Sequence, residues 1–275
     1  MTATETTDPM ATTVVAGDSQ TPPERSVGET SRKPSGRRRR PEDRRGRIGR
    51  RLGLTPTTQD IVERWLDGSL PAGGASALDA GCGRLSQLRP FRHRLARFAG
   101  VDIHAPERPL EWLDEFRVAD LCADVDAFAA GSFDVVLSNF TVEHFADPVA
   151  AFGIIRGWLR PGGWLVITTV NRAHPFVEAY LDLPMGVRGA LQPVVKRSAA
   201  DAHPLVGACN TPRLVREGLE MSGYTEIEIM TTDHLARAWG RTLPTWGLGL
   251  LGDLAAHSMP ARRSTIVARA KRPVA

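Results

Sequence analysis

The sequence has few cysteines and no long apolar run. Cysteine occurs three times in 275 residues, at Cys82, Cys122 and Cys209. This spacing fits neither a disulfide framework nor the ligand pattern of a zinc module. No apolar run approaches the roughly 18 residues of a membrane-spanning helix, and the first residues lack a secretory pattern. We therefore expect a cytoplasmic protein without a disulfide scaffold, a metal site or a transmembrane segment.

The chain lacks an excess of positive charge everywhere except in its first 53 residues. Residues 1–53 hold 12 Lys and Arg against 7 Asp and Glu, which leaves 23 against 24 in the remainder. The remainder is thus nearly neutral, and it gives no electrostatic reason to expect a specific nucleic-acid partner.

Residues 1–50 also lack the large apolar side chains that a folded segment buries. They are rich in Thr, Pro, Ser, Gly and Arg, so their ordering entropy has little to offset it, and we predict a disordered basic tail. We interpret the Arg37–Arg40 cluster as solubilising, with a weak phosphate, membrane-surface or partner contact as the alternative. The folded domain is then residues 51–275.

Beyond the tail, short apolar runs alternate with segments of helical character. Thr55 is predicted to cap a helix that starts at Pro56. The predicted strands are Ala75–Ala80, Phe98–Val101, Arg117–Ala119, Phe133–Asn139, Trp164–Val170, Tyr224–Thr231 and Ser264–Ala268. The predicted helices between them are Ser86–Arg97, Pro109–Phe116 and Pro148–Leu159. Such alternation indicates an α/β fold with a parallel sheet covered on both faces.

The alternation of predicted strands and helices is interrupted in two segments. Residues Asn171–Asn210 contain several prolines and glycines and are interpreted as an insertion over the carboxyl edge of the sheet. The segment Leu243–Leu254 is apolar and interrupted by glycines. We expect it to cover the sheet, and the alternatives are a wall for a lipophilic acceptor or a peripheral contact with a membrane.

The residues Leu78–Gly83 place a Gly-Cys-Gly turn where the first strand should end. Glycines at that point let the backbone turn sharply and approach a ligand. Asp102 follows Gly83 by nineteen residues and ends the next apolar run. A carboxylate at the end of the second strand is placed to accept hydrogen bonds from ribose hydroxyls.

These features, together with Phe133–Asn139, Val142–Pro148 and Leu159–Leu165, resemble the class I S-adenosylmethionine-dependent methyltransferases, and most closely the branch that acts on small molecules and lipids. The resemblance implies a Rossmann-like, mostly parallel seven-stranded sheet. Helices would cover both faces, and the last strand would be antiparallel. It also implies S-adenosylmethionine as the cofactor.

The resemblance assigns roles residue by residue. The residues that match the cofactor-binding motifs are Asp79, Gly81, Cys82 and Gly83 for the amino-acid moiety, Asp102 with Ile103 for the ribose, Asp120 with Leu121 for the adenine, and Asn139 with Phe140 beside the methyl-transfer point. Asp124 is an alternative at the adenine position. The Cys82 side chain is interpreted as a small packing residue within the turn. One departure is Leu85, which stands where the family usually has a glycine.

The acceptor and its base are less clearly encoded. His144 is the candidate base, although a structural role for it is favoured, and His174 and His203 lie in the insertion. We expect methyl transfer to a small-molecule or lipid-like acceptor, on oxygen or carbon rather than nitrogen. A non-catalytic binding protein is the alternative. A nicotinamide oxidoreductase fits poorly, because Ser86 stands where its motif needs glycine.

Overall fold

The computed structural model describes residues 44–54, 56–195 and 207–274. Their centre is one seven-stranded sheet. The strands are β1 Ala75–Ala80, β2 Leu95–Asp102, β3 Glu115–Val118, β4 Phe133–Asn139, β5 Leu159–Val170, β6 Thr225–Thr232 and β7 Thr265–Lys271, in the order β3-β2-β1-β4-β5-β7-β6. Strands β1 to β5 pair in parallel, and β7 is antiparallel to both of its neighbours. The predicted Rossmann-like sheet with an antiparallel last strand is confirmed.

Helices lie on both faces of this sheet, as predicted. The helices of the described residues are α1 Arg44–Arg51, α2 Thr58–Ser69, α3 Pro148–Trp158, α4 Pro175–Leu181, α5 Met185–Val195, α6 Pro212–Met221, α7 Leu235–Ala238 and α8 Leu243–His257. Helix α2 places Ile61 and Trp65 in a core with Phe98. Helices α3 and α6 pack Phe152 and Leu219 on the opposite face.

Strand β4 shows why the sheet is buried on both faces. Successive side chains of a strand point to opposite faces. Val136 therefore enters the core beneath α3 and α6, and Val135 and Leu137 enter the core beneath α2. The register of β4 is irregular between Phe133 and Val135, and Phe133 enters the same core as Val136. All four are fully buried, which explains why this central strand has a nearly continuous apolar sequence.

Two predicted helices are wrong. Residues 86–97 contain only a 3-10 helix, Arg89–Arg94, before β2 begins at Leu95. Residues 109–114 form a loop, and the last two residues of the predicted helix, 115 and 116, already belong to β3. A long-range contact fixes this loop, because the Asp114 carboxylate accepts a hydrogen bond from the backbone N–H of Phe98 at 2.7 Å. The apolar residues that suggested a helix instead pack onto Phe98 from a loop, among them Trp112.

The start of the folded domain also differs from the prediction. Thr57 caps α2 in a capping box with Asp60, whereas Thr55 lies outside the described residues. Helix α1, Arg44–Arg51, occupies the end of the segment that was predicted to be disordered. Residues 1–43 of the predicted tail lie outside the described part of the chain.

A third core, formed by α4, α7 and α8, adds a helical cap to the sheet. Its buried members are Val177, Leu181, Leu235 and Trp239. Helices α4 and α5 occupy the predicted insertion, and α7 and α8 form a second insertion between β6 and β7. In the described ranges, no helix is long and apolar enough to cross a membrane.

Candidate functional site

The carboxyl ends of β1 and β4 meet where the strand order reverses. From β1 the chain proceeds outward to β2 and β3, and from β4 it proceeds the other way to β5. Ligands of open α/β sheets bind in the crevice at such a switch point. The Thr141 hydroxyl, in the loop after β4, donates a hydrogen bond to the Gly81 carbonyl at 3.4 Å. The two loops that line the crevice are thus in direct contact.

The glycine turn closes tightly on one side and is open on the other. Gly81 has φ +78°, and a Cβ there would overlap the Thr141 side chain. Its N–H and that of Cys82 both donate to the Val101 carbonyl, at 2.8 and 3.1 Å. Gly83 has φ +48°, but a Cβ at this position would meet nothing within 4 Å. Glycine is therefore required at 81 for close approach, whereas the backbone of Gly83 faces open space.

Asp79 is a buried carboxylate close to this turn. It is 1% exposed, and neither carboxylate oxygen has a hydrogen-bond partner in the described structure. The Ser86 hydroxyl lies near the carboxylate and favours its ionised form, which lowers the Asp79 pKa. Burial, and then the charge of Asp102, raise the Asp79 pKa to about 7. A buried polar group without partners is costly unless something supplies them. Asp79 is therefore suited to a ligand that carries donors or positive charge.

Asp102 ends β2 and holds the turn from the other side. Its Oδ2 accepts from the Gly83 N–H at 3.0 Å, and its Oδ1 accepts from the His104 N–H at 3.2 Å. Each carboxylate oxygen can accept more than one hydrogen bond. Asp102 is half-buried and Ile103 beside it is exposed, so both are accessible at this edge.

Cys82 is the one residue of the Gly81-Cys82-Gly83 turn that has a side chain, and this side chain is buried. Its Sγ lies 3.0 Å from the position that a Cβ on Gly100 would occupy. Burial, followed by the charges of Asp79 and Asp102, raises the pKa of the thiol. These observations agree with the packing interpretation, and only the backbone of Cys82 is left to face a ligand.

A strained residue directly follows β4. Phe140 has φ +54°, a left-handed conformation that bulky residues rarely adopt and that clusters at functional sites. Its N–H donates to the Thr168 carbonyl at 2.9 Å, which stabilises this conformation. The preceding Asn139 accepts hydrogen bonds from Gln87 at 2.8 Å and from the Thr168 hydroxyl at 2.7 Å. Asn139 is thereby held in one orientation.

Two residues that the sequence analysis missed lie at this edge. Gln87 joins the segment after the glycine turn to Asn139, and its buried Oε1 has no partner among the described residues. The His234 ring lies 5.4 Å from the Phe140 ring, and its Nδ1 is 3.3 Å from the Thr58 hydroxyl. Burial, and then the charge of Arg237, lower the His234 pKa to about 4. His234 is therefore neutral at pH 7.

The predicted adenine position forms a tight turn after β3. Asp120 is exposed, and its carboxylate accepts from the Cys122 N–H at 2.8 Å. The Asp124 carboxylate accepts from the Asp120 N–H at 2.7 Å, so both candidate acids belong to one turn. Leu121 is buried in the core beneath α3 and α6.

The predicted histidines have different environments. His144 ends a 3-10 helix, Val142–His144, directly after β4, and is half-buried. His174 is fully buried. Its Nδ1 accepts from the Phe176 N–H at 3.1 Å and its Nε2 lies 3.1 Å from the Gly252 carbonyl, so it joins α4 to α8. His203 lies outside the described residues. His174 is thus a structural residue of the cap rather than a free base.

Comparisons with known proteins agree with this geometry. A family model described as a methyltransferase domain matches residues 78–167. The ubiquinone biosynthesis O-methyltransferase of Thiobacillus denitrificans is 27% identical over 64% of this chain and 76% of its own length. The nocamycin O-methyltransferase of Saccharothrix syringae is 29% identical over 65% of this chain and 69% of its own length.

A solved structure supports the fold. The phosphoethanolamine N-methyltransferase 2 of Haemonchus contortus aligns with a TM-score of 0.50 at 17% identity, over 78% of this chain and 52% of that one. These findings give no support to the non-catalytic binding protein that the sequence left open. Motifs, relatives and sheet topology agree, and together they support a class I S-adenosylmethionine-dependent methyltransferase, with S-adenosylmethionine as its cofactor.

Proposed function

We propose that this enzyme methylates an oxygen atom of a small, largely apolar acceptor at the carboxyl edge of β1 and β4. The observation that carries the cofactor part of the proposal is the buried, unpartnered Asp79 carboxylate beside the open glycine turn. The relatives support the choice of oxygen, because both curated matches described above are named O-methyltransferases.

The residues at this edge fit S-adenosylmethionine. Asp79 has two buried oxygens without partners, which suits a donor-bearing, positively charged amino-acid moiety. Asp102 retains acceptor capacity for ribose hydroxyls. The proposed contacts are Asp79, Gly81, Gly83 and the Cys82 backbone for the amino-acid moiety, Asp102 and Ile103 for the ribose, Asp120 and Leu121 for the adenine, and Asn139 and Phe140 at the methyl-transfer point. When bound, the cofactor supplies a methyl group on a positively charged sulfur.

The chain's own contribution is to orient the acceptor, exclude water and receive a proton. Holding two reactants in line replaces a bimolecular encounter and accounts for several kcal/mol of the barrier. His234 is the proposed acceptor-side base because its ring packs near Phe140. Its lowered pKa leaves the imidazole unprotonated, but it also makes the free side chain a weak base, so the proposal rests on the position of the ring. If Nδ1–H donates to the Thr58 hydroxyl, Nε2 is left to accept the proton of a hydroxyl acceptor. His144, the candidate from the sequence, is the second position to test.

The cofactor proposal is tested by calorimetric titration of S-adenosylmethionine, S-adenosylhomocysteine and NAD into the purified protein. We expect both sulfur compounds to bind, NAD not to bind, and Asp102→Ala to weaken binding by about tenfold or more. Tight NAD binding without a response to the sulfur compounds would contradict the proposal.

The choice of acceptor is tested by turnover with hydroxylated aromatic, enol and amine compounds of matched size. We expect methylation of hydroxyl acceptors and a rate loss of about 100-fold or more in His234→Ala. The matched control is His93→Ala, an exposed histidine in the 3-10 helix before β2. A large loss in His144→Ala with none in His234→Ala would move the base to His144, and selective amine methylation would refute the oxygen proposal.

A cytoplasmic location is proposed from the cysteines. Cys82 and Cys209 are buried free thiols and Cys122 is a half-buried one. Unpaired thiols suit a reducing compartment. Fractionation of cells that produce the protein would test this.

A further inference from the structure

Helix α8 has an unusual distribution of side-chain sizes between its two faces. Its inner face is made of small residues: a Cβ on Gly249 would lie 2.8 Å from the Ala236 backbone, and one on Gly252 would lie 2.9 Å from Leu235. Asp253, the only acid in α8, is buried on the same side. A helix on the surface of a globular protein normally buries its large apolar residues, whereas α8 buries its small ones.

The outer face of α8 consists of leucines. Leu243, Leu248, Leu251 and Leu254 are 64%, 47%, 62% and 39% exposed. Met259, just beyond the helix, is also exposed. Single exposed apolar residues are ordinary, but a contiguous apolar face marks an interaction surface. We call these five residues the leucine face.

The exposed charges on the chain segment that carries the leucine face are all of one sign. Arg237 and Arg241 precede α8, Arg262 follows it, and all three are exposed. From residue 234 to 263 the sequence contains a single acid, the buried Asp253. Apolar side chains bordered by exposed arginines match the two parts of an anionic bilayer surface, the acyl boundary and the negative headgroups. A second copy would instead place arginines against arginines.

We propose that the leucine face docks α8 on the surface of an anionic lipid bilayer, with the helix lying in the plane of the interface. The docked element is rigid, because the two oxygens of Asp253 accept from the N–H groups of Leu235 and Ala236 at 2.9 and 2.8 Å. The His174 contact with the Gly252 carbonyl further connects α8 to the segment that follows β5.

Docking would bring the candidate site close to the bilayer. Strands β5 and β6 both run toward the carboxyl edge, and His174 and His234 follow their ends by a few residues. Helix α8 therefore sits on the same edge as Asn139 and Phe140. An apolar acceptor could reach that edge from the lipid phase. The docking proposal itself does not depend on the acceptor.

The test is co-sedimentation of the full chain with phosphatidylcholine vesicles, with and without phosphatidylglycerol. We expect binding to require phosphatidylglycerol and to weaken with salt. Leu248→Ser combined with Leu251→Ser should lower the partition coefficient by about tenfold or more, and Leu251→Ser alone by a smaller factor. The matched control is Met221→Ser, which replaces a still more exposed apolar residue at the end of α6 and should leave binding unchanged.

Three outcomes would overturn the proposal. The first is equal vesicle binding by the wild type and both leucine variants while their cofactor affinity is intact. The second is vesicle binding that Arg37–Arg40→Gln abolishes and the leucine variants do not affect, because the tail would then be the docking element. The third is a concentration-dependent dimer in sedimentation velocity that the leucine variants dissociate, because a second copy would then occupy the face. Cofactor affinity measured in the same samples separates a failure to dock from a failure to fold.

Discussion

The turn edge and the helical cap of this enzyme are built in different ways. The turn edge, formed by the loops after β1, β2 and β4, is held mainly by backbone groups and carboxylates, as in the Gly81 turn and Asp102. The cap of α4, α7 and α8 is held by side chains far apart in sequence, such as His174 with Gly252. A backbone conformation that needs particular residues leaves a short motif in the sequence, whereas packing between residues far apart in the sequence leaves none. The two regions should therefore respond differently to mutation.

The largest effect is expected from Gly81→Ala in the turn edge. The new Cβ would overlap Thr141, and alanine at φ +78° adds about 1–2 kcal/mol of backbone strain. We expect a loss of about 2–4 kcal/mol in the free energy of unfolding, with cofactor binding lowered at least tenfold. Urea unfolding and calorimetry measure both.

Gly83→Ala is the matched control for Gly81→Ala. This glycine also has a positive φ, but its Cβ would meet nothing within 4 Å. It should cost only the strain, about 1 kcal/mol. Equal losses of stability at the two positions would contradict the close-approach argument.

Replacing Asp253 by alanine should destabilise the cap without the loss of cofactor binding expected from Gly81→Ala. The substitution removes the acceptor of the Leu235 and Ala236 N–H groups and of the Ser264 hydroxyl. The Leu235 N–H keeps a second acceptor, the Ser264 hydroxyl oxygen at 3.1 Å, so the main loss is the acceptor of the Ala236 N–H. The substitution should cost about 1–3 kcal/mol, while cofactor affinity changes less than threefold. Hydrogen exchange should locate the loss in α7 and α8.

Asp182→Ala is the control for Asp253→Ala, because among the described residues the Asp182 carboxylate makes an exposed ion pair with Arg172 and no other contact. It should cost at most about 0.5 kcal/mol. If Asp253→Ala abolished cofactor binding, the cap and the turn edge would have to be treated as one unit.

The same difference explains what the sequence could and could not predict. Strands β1 and β4 were predicted with the bounds that the structure gives, because fully buried strands leave short apolar runs between turn residues. The helix predicted at 109–116 is wrong because Asp114 fixes that loop through a contact with Phe98, sixteen residues away. Apolar spacing carries no record of such a contact.

In the candidate site, too, some residues can be predicted from the sequence and others cannot. The positions of Gly81 and Asp102 were predictable because the turn needs a glycine and the strand end exposes a carboxylate. Gln87 was missed because only folding brings it to Asn139, 52 residues further on. His234 was missed because its neighbour Phe140 lies 94 residues before it in the sequence. No local pattern marks either residue.

A smaller effect should appear in the pH dependence of cofactor binding. The Asp79 pKa is raised from its ordinary value of 3.8 to about 7. If a positively charged ligand favours the ionised form, binding releases a proton and affinity rises by about tenfold from pH 6 to pH 8. Calorimetry in two buffers of different ionisation enthalpy measures the release. Asp79→Asn should bind without it, and a wild type that releases no proton would remove Asp79 from the amino-acid subsite.

The same shift has an opposite effect on the stability of the free enzyme. Because the folded-state pKa of Asp79 lies above its unfolded value, the folded state binds the proton more tightly. The contribution to stability is therefore fully present below pH 3.8 and is lost as the pH rises through about 7. Asp79→Asn should flatten this dependence, which thermal unfolding between pH 5 and pH 8 would show.

The smallest effect is expected from deleting residues 1–43. The turn edge and the cap are built from residues 56 onward, and Thr57 caps α2 independently of anything before it. Cofactor affinity and melting temperature should therefore stay within about twofold and about 2 °C of the full chain. Calorimetry and thermal unfolding of the truncated chain measure both. A tenfold loss of affinity would show that the arginine-rich tail contributes to the site, and the turn edge would then depend on distant residues as the cap does.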